Sequence, residues 1–194
     1  GTHSTAVGSH ALFTQNVGDE LAANTAVGAE SGYHNVTGTN NTYLGYKAGA
    51  GATGQSNSYN TAVGKDALLA ITTGGHNAVL GAVAGDSLTT ASGSVFVGSN
   101  AGGTVTTGNS NIGIGLNAIN GGTTTGDNNI AIGASAGDAL TSGNNNIAIG
   151  LDALAGATTI VQSVCIGHLA GASIGAGTDS NGSVLIGGNA GRVM

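Results

Sequence analysis

A chain of 194 residues with 38 Gly, no Pro, no Trp and 3% aromatic residues lacks the large side chains that fill a conventional globular core. At 40% hydrophobic and 6% charged it is equally unlike a disordered chain, which is poor in aliphatics and rich in charge. Three basic residues (Lys47, Lys65 and Arg192) against nine acidic ones leave a net charge of −6, which excludes nucleic-acid binding by phosphate neutralisation.

Taken in chain order, the same short element recurs eleven times. It reads STAVG ending at Gly8, NTAVG at Gly28, NTYLG at Gly45, NTAVG at Gly64, NAVLG at Gly81 and SVFVG at Gly98. It continues as NIGIG at Gly115, NIAIG at Gly133 and at Gly150, SVCIG at Gly167 and SVLIG at Gly187. Six of the ten spacings equal 17 residues, so the unit is one coil of that length with occasional insertions. The pattern predicts an all-β fold: a parallel β-solenoid (β-roll or β-helix) of about eleven coils, with residues 1–194 as a single repeat domain. At the spacing of hydrogen-bonded strands this is a rod on the order of 50 Å long. The repeat runs to both ends without a basic n-region of a secretory signal, and reads as a fragment of a longer protein.

Each column has a physical meaning. Four residues before the glycine stands Asn (Asn24, Asn41, Asn60, Asn77, Asn111, Asn129, Asn146) or Ser, side chains that bond nearby backbone and, when stacked, bond along the rod. The residues three and one before the glycine share one strand face, because strand side chains alternate. The glycine ends the strand where a positive φ is easiest. Three residues later Ala stands in ten of eleven copies, Ser31 being the exception, which implies tight approach between coils. The central column (Ala6, Ala26, Tyr43, Ala62, Val79, Phe96, Gly113, Ala131, Ala148, Cys165, Leu185) holds no charge. A strand apolar on both faces is buried on both. This central column is therefore expected to face a second copy of the chain, making a homo-oligomer, with three-fold symmetry favoured for a fibre. The lone Cys165 is expected to be a buried free thiol acting as a small hydrophobe; were a trimer axis to run along this column, its copies would approach and an interchain disulfide would form under oxidation.

A second strand is expected nine residues before each glycine, with Thr72, Thr89, Thr106, Thr124, Thr141, Thr158 and Thr178 pointing outward and the preceding residue inward. The glycines that follow, such as Gly74 and Gly108, turn the chain back to the Asn corner.

The NTAVG and NIAIG units followed by xxAG resemble repeats of trimeric autotransporter adhesin heads and of bacteriophage tail fibres, over essentially the whole chain. The resemblance implies a trimeric β-roll or β-helical fibre exposed outside the cell or on a virion and serving attachment. The autotransporter unit is shorter, typically about fourteen residues, whereas this one is mostly seventeen.

Chemistry-bearing residues do not converge. His3, His10, His34, His76 and His168 share no column, and the acidic residues are scattered, with Asp66 and Asp152 in one column and Asp86 and Asp138 in another. A nucleophile elbow, a phosphate-binding loop and a metal-ligand spacing are all missing from the sequence, Asp127 with Asn128 and Asn129 being the only stray cation candidate. The expectation is a structural protein, not an enzyme, without cofactor or metal and without membrane insertion, since no stretch reaches the roughly 18–20 apolar residues a span needs. Recognition of a cell-surface glycan or receptor is expected in the non-periodic insertions, residues 13–24, 33–39, 51–59 and 172–182, with Tyr33, His34 and Tyr59 as the groups that would stack on a sugar. The alternative is an ice-binding solenoid using the outward Thr column.

Overall fold

A computed structural model describes residues 3–18, 21–174 and 181–191. It is an all-β, single-sheet solenoid with eleven three-residue strands. These are β1 (Thr5–Val7), β2 (Thr25–Val27), β3 (Thr42–Leu44), β4 (Thr61–Val63), β5 (Ala78–Leu80) and β6 (Val95–Val97). They continue as β7 (Ile112–Ile114), β8 (Ile130–Ile132), β9 (Ile147–Ile149), β10 (Val164–Ile166) and β11 (Val184–Ile186). The strands pair in sequence order from β1 to β11, all parallel and in register, Thr5 on Thr25, Ile130 on Ile147 and so on. No helix occurs among the described residues, and hence none is long and apolar enough to cross a membrane.

The strand centres point the opposite way from the sequence expectation. Ala26, Tyr43, Ala62, Val79, Phe96, Ala131, Ala148 and Cys165 are buried inside their own coils, and the two flanking columns face outward. The reason is volume. The interior of a coil this narrow has room for one residue per strand. Two β-branched columns would not fit where Ala, Gly and an occasional ring do.

The glycine column follows from the same closeness. Gly28, Gly45, Gly64, Gly81, Gly98, Gly115, Gly133 and Gly150 hold φ between 130° and 144°. A Cβ on Gly133 would lie 2.5 Å from the carbonyl oxygen of Gly150 in the next coil. Beyond the strand the backbone alternates, and the second and fourth residues after each glycine take left-handed φ in all eleven coils. At the second position stand His10, Glu30, Lys47, Asp66, Val83, Asn100, Asn117, Ser135, Asp152, Leu169 and Asn189. Non-glycine residues are uncommon in that region, and a β-branched residue such as Val83 is an outlier. The inter-coil hydrogen bonds that the geometry permits (Glu30 N to Ser9 O, Gly32 N to Ala48 O) hold it in place.

The fourth position carries a packing rule. Where the strand centre is small, the fourth residue after the glycine is large: Ala6 with Leu12, Ala62 with Leu68, Gly113 with Ile119, Ala148 with Leu154. Where the centre is larger, that residue is glycine: Tyr43 with Gly49, Val79 with Gly85, Phe96 with Gly102, Cys165 with Gly171, Leu185 with Gly191. The ring of Tyr43 lies where a Cβ on Gly49 would be, and that of Phe96 does the same at Gly102. In the two coils where both are small, other side chains take the space: Leu12 and Tyr43 of the neighbouring coils close over Gly32, and Leu140 of the same coil closes over Gly137. In nine of the eleven coils one of the two positions is thus the larger and the other the smaller, as close packing of so narrow an interior requires. Between the two positions, the Ala column is buried as expected, from Ala48 to Ala170.

The Asn column forms a buried amide ladder. The backbone N–H of Asn41 donates to Asn24 Oδ1 at 2.8 Å, Asn60 to Asn41 at 2.9 Å, Asn77 to Asn60 at 3.0 Å and Asn146 to Asn129 at 3.1 Å. Each amide nitrogen then donates to a carbonyl of the returning turn, as Asn60 to Gly74 O (2.9 Å), Asn129 to Gly143 O (2.8 Å) and Asn77 to Ala91 O (2.9 Å). Asn129→Ala is expected to cost about 2–4 kcal/mol, since it orphans the buried Asn146 donors and the Gly143 carbonyl. Asn129→Ser is expected to cost roughly 1 kcal/mol, because Ser94 and Ser163 already stand in this column and Ser94 Oγ accepts the Asn111 N–H at 3.2 Å. Chemical denaturation of both variants separates the two values.

The second strand is not present among the described residues. Only the isolated bridges Asn35–Gln55 and Val105–Thr124 occur there, because the chain bends at this corner: Thr72, Thr73 and Gly74 all direct their N–H groups at the one carbonyl of Thr89. Ile71, Leu88, Val105 and Leu140 point inward as expected. Thr72, Thr89, Thr106, Thr141 and Thr158 are half-buried rather than fully outward. Thr124 is a correction. It is fully buried and takes the inward place beside Val105, because this coil is one residue shorter between the inward residue and the turn glycine, Gly126. Thr178 lies outside the described residues.

Candidate functional site

The outward face of the sheet is a continuous apolar surface. Its two columns run Thr–Val, Thr–Val, Thr–Leu, Thr–Val, Ala–Leu, Val–Val, then Ile–Ile three times, Val–Ile and Val–Ile. Val7, Leu44, Leu80, Ile114, Ile132, Val184 and Ile186 are exposed, the last at 68%. Tyr46, Leu116 and Leu151, one residue past their glycines, extend the strip. Eleven strands of three residues make a flat area on the order of 500 Å², the size of the largest apolar patch on an ordinary monomer. Nothing in the chain covers it among the described residues. The strip is graded. Thr5, Thr25, Thr42 and Thr61 make the first four coils half polar, whereas β5 to β11 are aliphatic throughout.

Cys165 is the buried free thiol expected of it, and the reversal of the strand faces removes the conditional interchain disulfide. Cys165 is fully buried within its own coil and a Cβ on Gly171 would touch its Sγ. Burial pushes its thiol pKa up, the state of an inert thiol.

The sugar-stacking candidates fall into two aromatic groups. Phe13 and Tyr33 each stand five residues past the glycine in consecutive coils, with ring centroids 5.2 Å apart and planes 20° from parallel. His10 meets Phe13 edge-on at 5.0 Å and His34 meets Tyr33 edge-on at 4.6 Å. Phe13 is 60% exposed. Phe13 and His10 were not recognised as part of this group from sequence. The offset that Phe13 shares with Tyr33 is the pattern that reveals it, and His10 lies three residues before it. The second group is Tyr59 stacked on His76 at 4.8 Å, planes 8° apart. Both stand five residues before a glycine in the left-handed corner column. Insertions 33–39 and 51–59 thus frame the aromatic corners, while insertions 13–24 and 172–182 lie partly outside the described residues.

The corner threonines use their hydroxyl protons internally. Thr72 Oγ1 donates to Thr89 O (2.9 Å), Thr89 to Thr106 O (3.1 Å) and Thr141 to Thr158 O (3.0 Å). Asp127 is likewise occupied, accepting from Asn109 N at 2.6 Å, and its neighbour Asn129 belongs to the buried ladder. Among the described residues no group of three or more His, Cys, Asp or Glu side chains is placed to share a metal ion.

Two carboxylates are perturbed in equivalent settings. Asp86 is raised by partial burial and then by the charge of Asp66, and Asp138 by partial burial and then by Asp152. A carboxyl raised in the folded state stabilises the fold below its unfolded value of 3.8, and that contribution is lost as pH rises through the folded pKa. Asp86→Asn with Asp138→Asn is therefore expected to raise the unfolding temperature at pH 7 and to leave it unchanged at pH 3. Thermal melts at the two pH values check this.

Compared with protein-family models, curated proteins and solved structures, the chain matches none.

Proposed function

We propose that this chain is a structural module of an extracellular attachment fibre. It packs side by side with two further copies through the outward face of β1 to β11, as a homotrimer. The observation that carries this reading is the unpaired aliphatic strip of β5 to β11, ending in Val184 and Ile186. Burying such side chains contributes about 25 cal/mol per Å², and a regular flat ladder is best covered by an identical ladder. The resemblance to adhesin-head and tail-fibre repeats supports the same reading, as does the low charge, which leaves Asn, Ser and Thr to keep the remaining sides soluble. A rod of this kind serves to hold a receptor- or glycan-binding part away from a virion or bacterial surface.

Ile132→Lys with Ile149→Lys is expected to turn the oligomer into a monomer with an unchanged far-ultraviolet spectrum, because both side chains stand on the outward face. An oligomer that survives this pair of charges sinks the proposed face. The ice-binding alternative rests on outward threonines. The corner column is weakened by its internal hydroxyl bonds, which leaves the four strand threonines Thr5, Thr25, Thr42 and Thr61 to carry it. Thermal hysteresis from the monomeric variant would favour that alternative.

A further inference from the structure

We infer that the aromatic corner of the first two coils, His10, Phe13, Tyr33 and His34, is a binding site for a neutral oligosaccharide. The inference deepens the attachment reading and rests on it. The fold does not require rings here. The position that Phe13 and Tyr33 occupy is taken by Asp86, Gly103, Asn120 and Asp138 in later coils of the same geometry. The four aromatic residues outside the core (Phe13, Tyr33, Tyr46 and Tyr59) fall between residues 13 and 59, while the only later one, Phe96, is buried.

The chemistry of the corner selects the ligand class. Two near-parallel rings one coil apart offer apolar faces and edges against which the C–H face of a pyranose packs, as amphipathic ligands do on aromatic side chains. Of the two imidazoles, His34 packs edge-on against Tyr33, and the exposed His10 supplies a directional hydrogen bond to a hydroxyl. His10 Nδ1 is engaged by Ser9 Oγ at 3.0 Å, which leaves Nε2 for a ligand. The four residues carry no carboxylate or ammonium, and Glu30 is paired with Lys47 at 3.5 Å. With a net charge of −6 the chain repels anionic sugars. A neutral saccharide is what remains.

The test uses the full chain, with maltohexaose, cellohexaose, chitohexaose and mannohexaose titrated by calorimetry and by saturation-transfer NMR. At least one is expected to bind with transfer to its ring C–H protons. Phe13→Ala and Tyr33→Ala are each expected to weaken it about tenfold. Tyr46→Ala and Tyr59→Ala leave the affinity unchanged, and far-ultraviolet spectra confirm that every variant is folded. Absence of binding to all four sugars, or binding indifferent to both Phe13→Ala and Tyr33→Ala, overturns the proposal. Because the titration reads equally well on a monomer, its result is separate from that of the oligomer test.

Discussion

Gly133→Ala is expected to destabilise the solenoid by about 3–5 kcal/mol, although it adds a single methyl group. Two effects combine. The residue is held at φ 135°, where an L side chain is strained, and the new Cβ would stand 2.5 Å from the Gly150 carbonyl oxygen and 2.7 Å from its carbon. Neither atom can move without shifting a whole coil. Gly187→Ala provides the comparison. Its φ of 122° is also left-handed, but nothing lies within 4 Å of the added Cβ, so only the strain of about 1–3 kcal/mol applies. Equal costs at the two positions would contradict the stacking account. Because stability in a solenoid is a sum of neighbour interfaces, the central defect is also expected to split one unfolding transition into two.

Phe96→Ala is expected to cost about 3–5 kcal/mol. The ring is fully buried and faces Gly85, Gly102 and Gly113, so its removal empties the volume of three glycines that cannot close over it. Gly102→Ala should also destabilise, since the added Cβ meets the Phe96 ring. Combined, the two changes are expected to cost less than their sum, because the first makes room for the second. Additive costs measured by denaturant titration would show that the compensation between strand centre and fourth position is accidental.

Much of the fold was legible because it is periodic. The glycines from Gly8 to Gly187 marked the strand ends, the Asn column implied a ladder, and the Ala column implied close coils. All three stand in the structure. What failed was the side of the strand. Period-two alternation tells which residues share a face but not which face is inside, and both columns here are apolar. The deciding information was steric and lay elsewhere, in the alternation of Leu68, Ile119 and Leu154 with Gly49, Gly85 and Gly102. Those large residues fit only if the strand centre beside them is small and inward. Thr124 was misplaced because counting back from Gly133 assumes a constant corner, and this coil is a residue shorter there. Of the candidate site, Tyr33, His34 and Tyr59 were visible as insertion aromatics. Their partners His10, Phe13 and His76 were missed, because rings that meet across coils are twenty or so residues apart in the chain.

The central claim is that the outward strip of β1 to β11 is covered by further copies of the chain. Light scattering coupled to size exclusion tests it most directly. The account predicts a mass near three times that of the 18.3 kDa chain, falling to a single chain when Ile132 and Ile149 are replaced by Lys. A wild-type mass of one chain at micromolar concentration would contradict it.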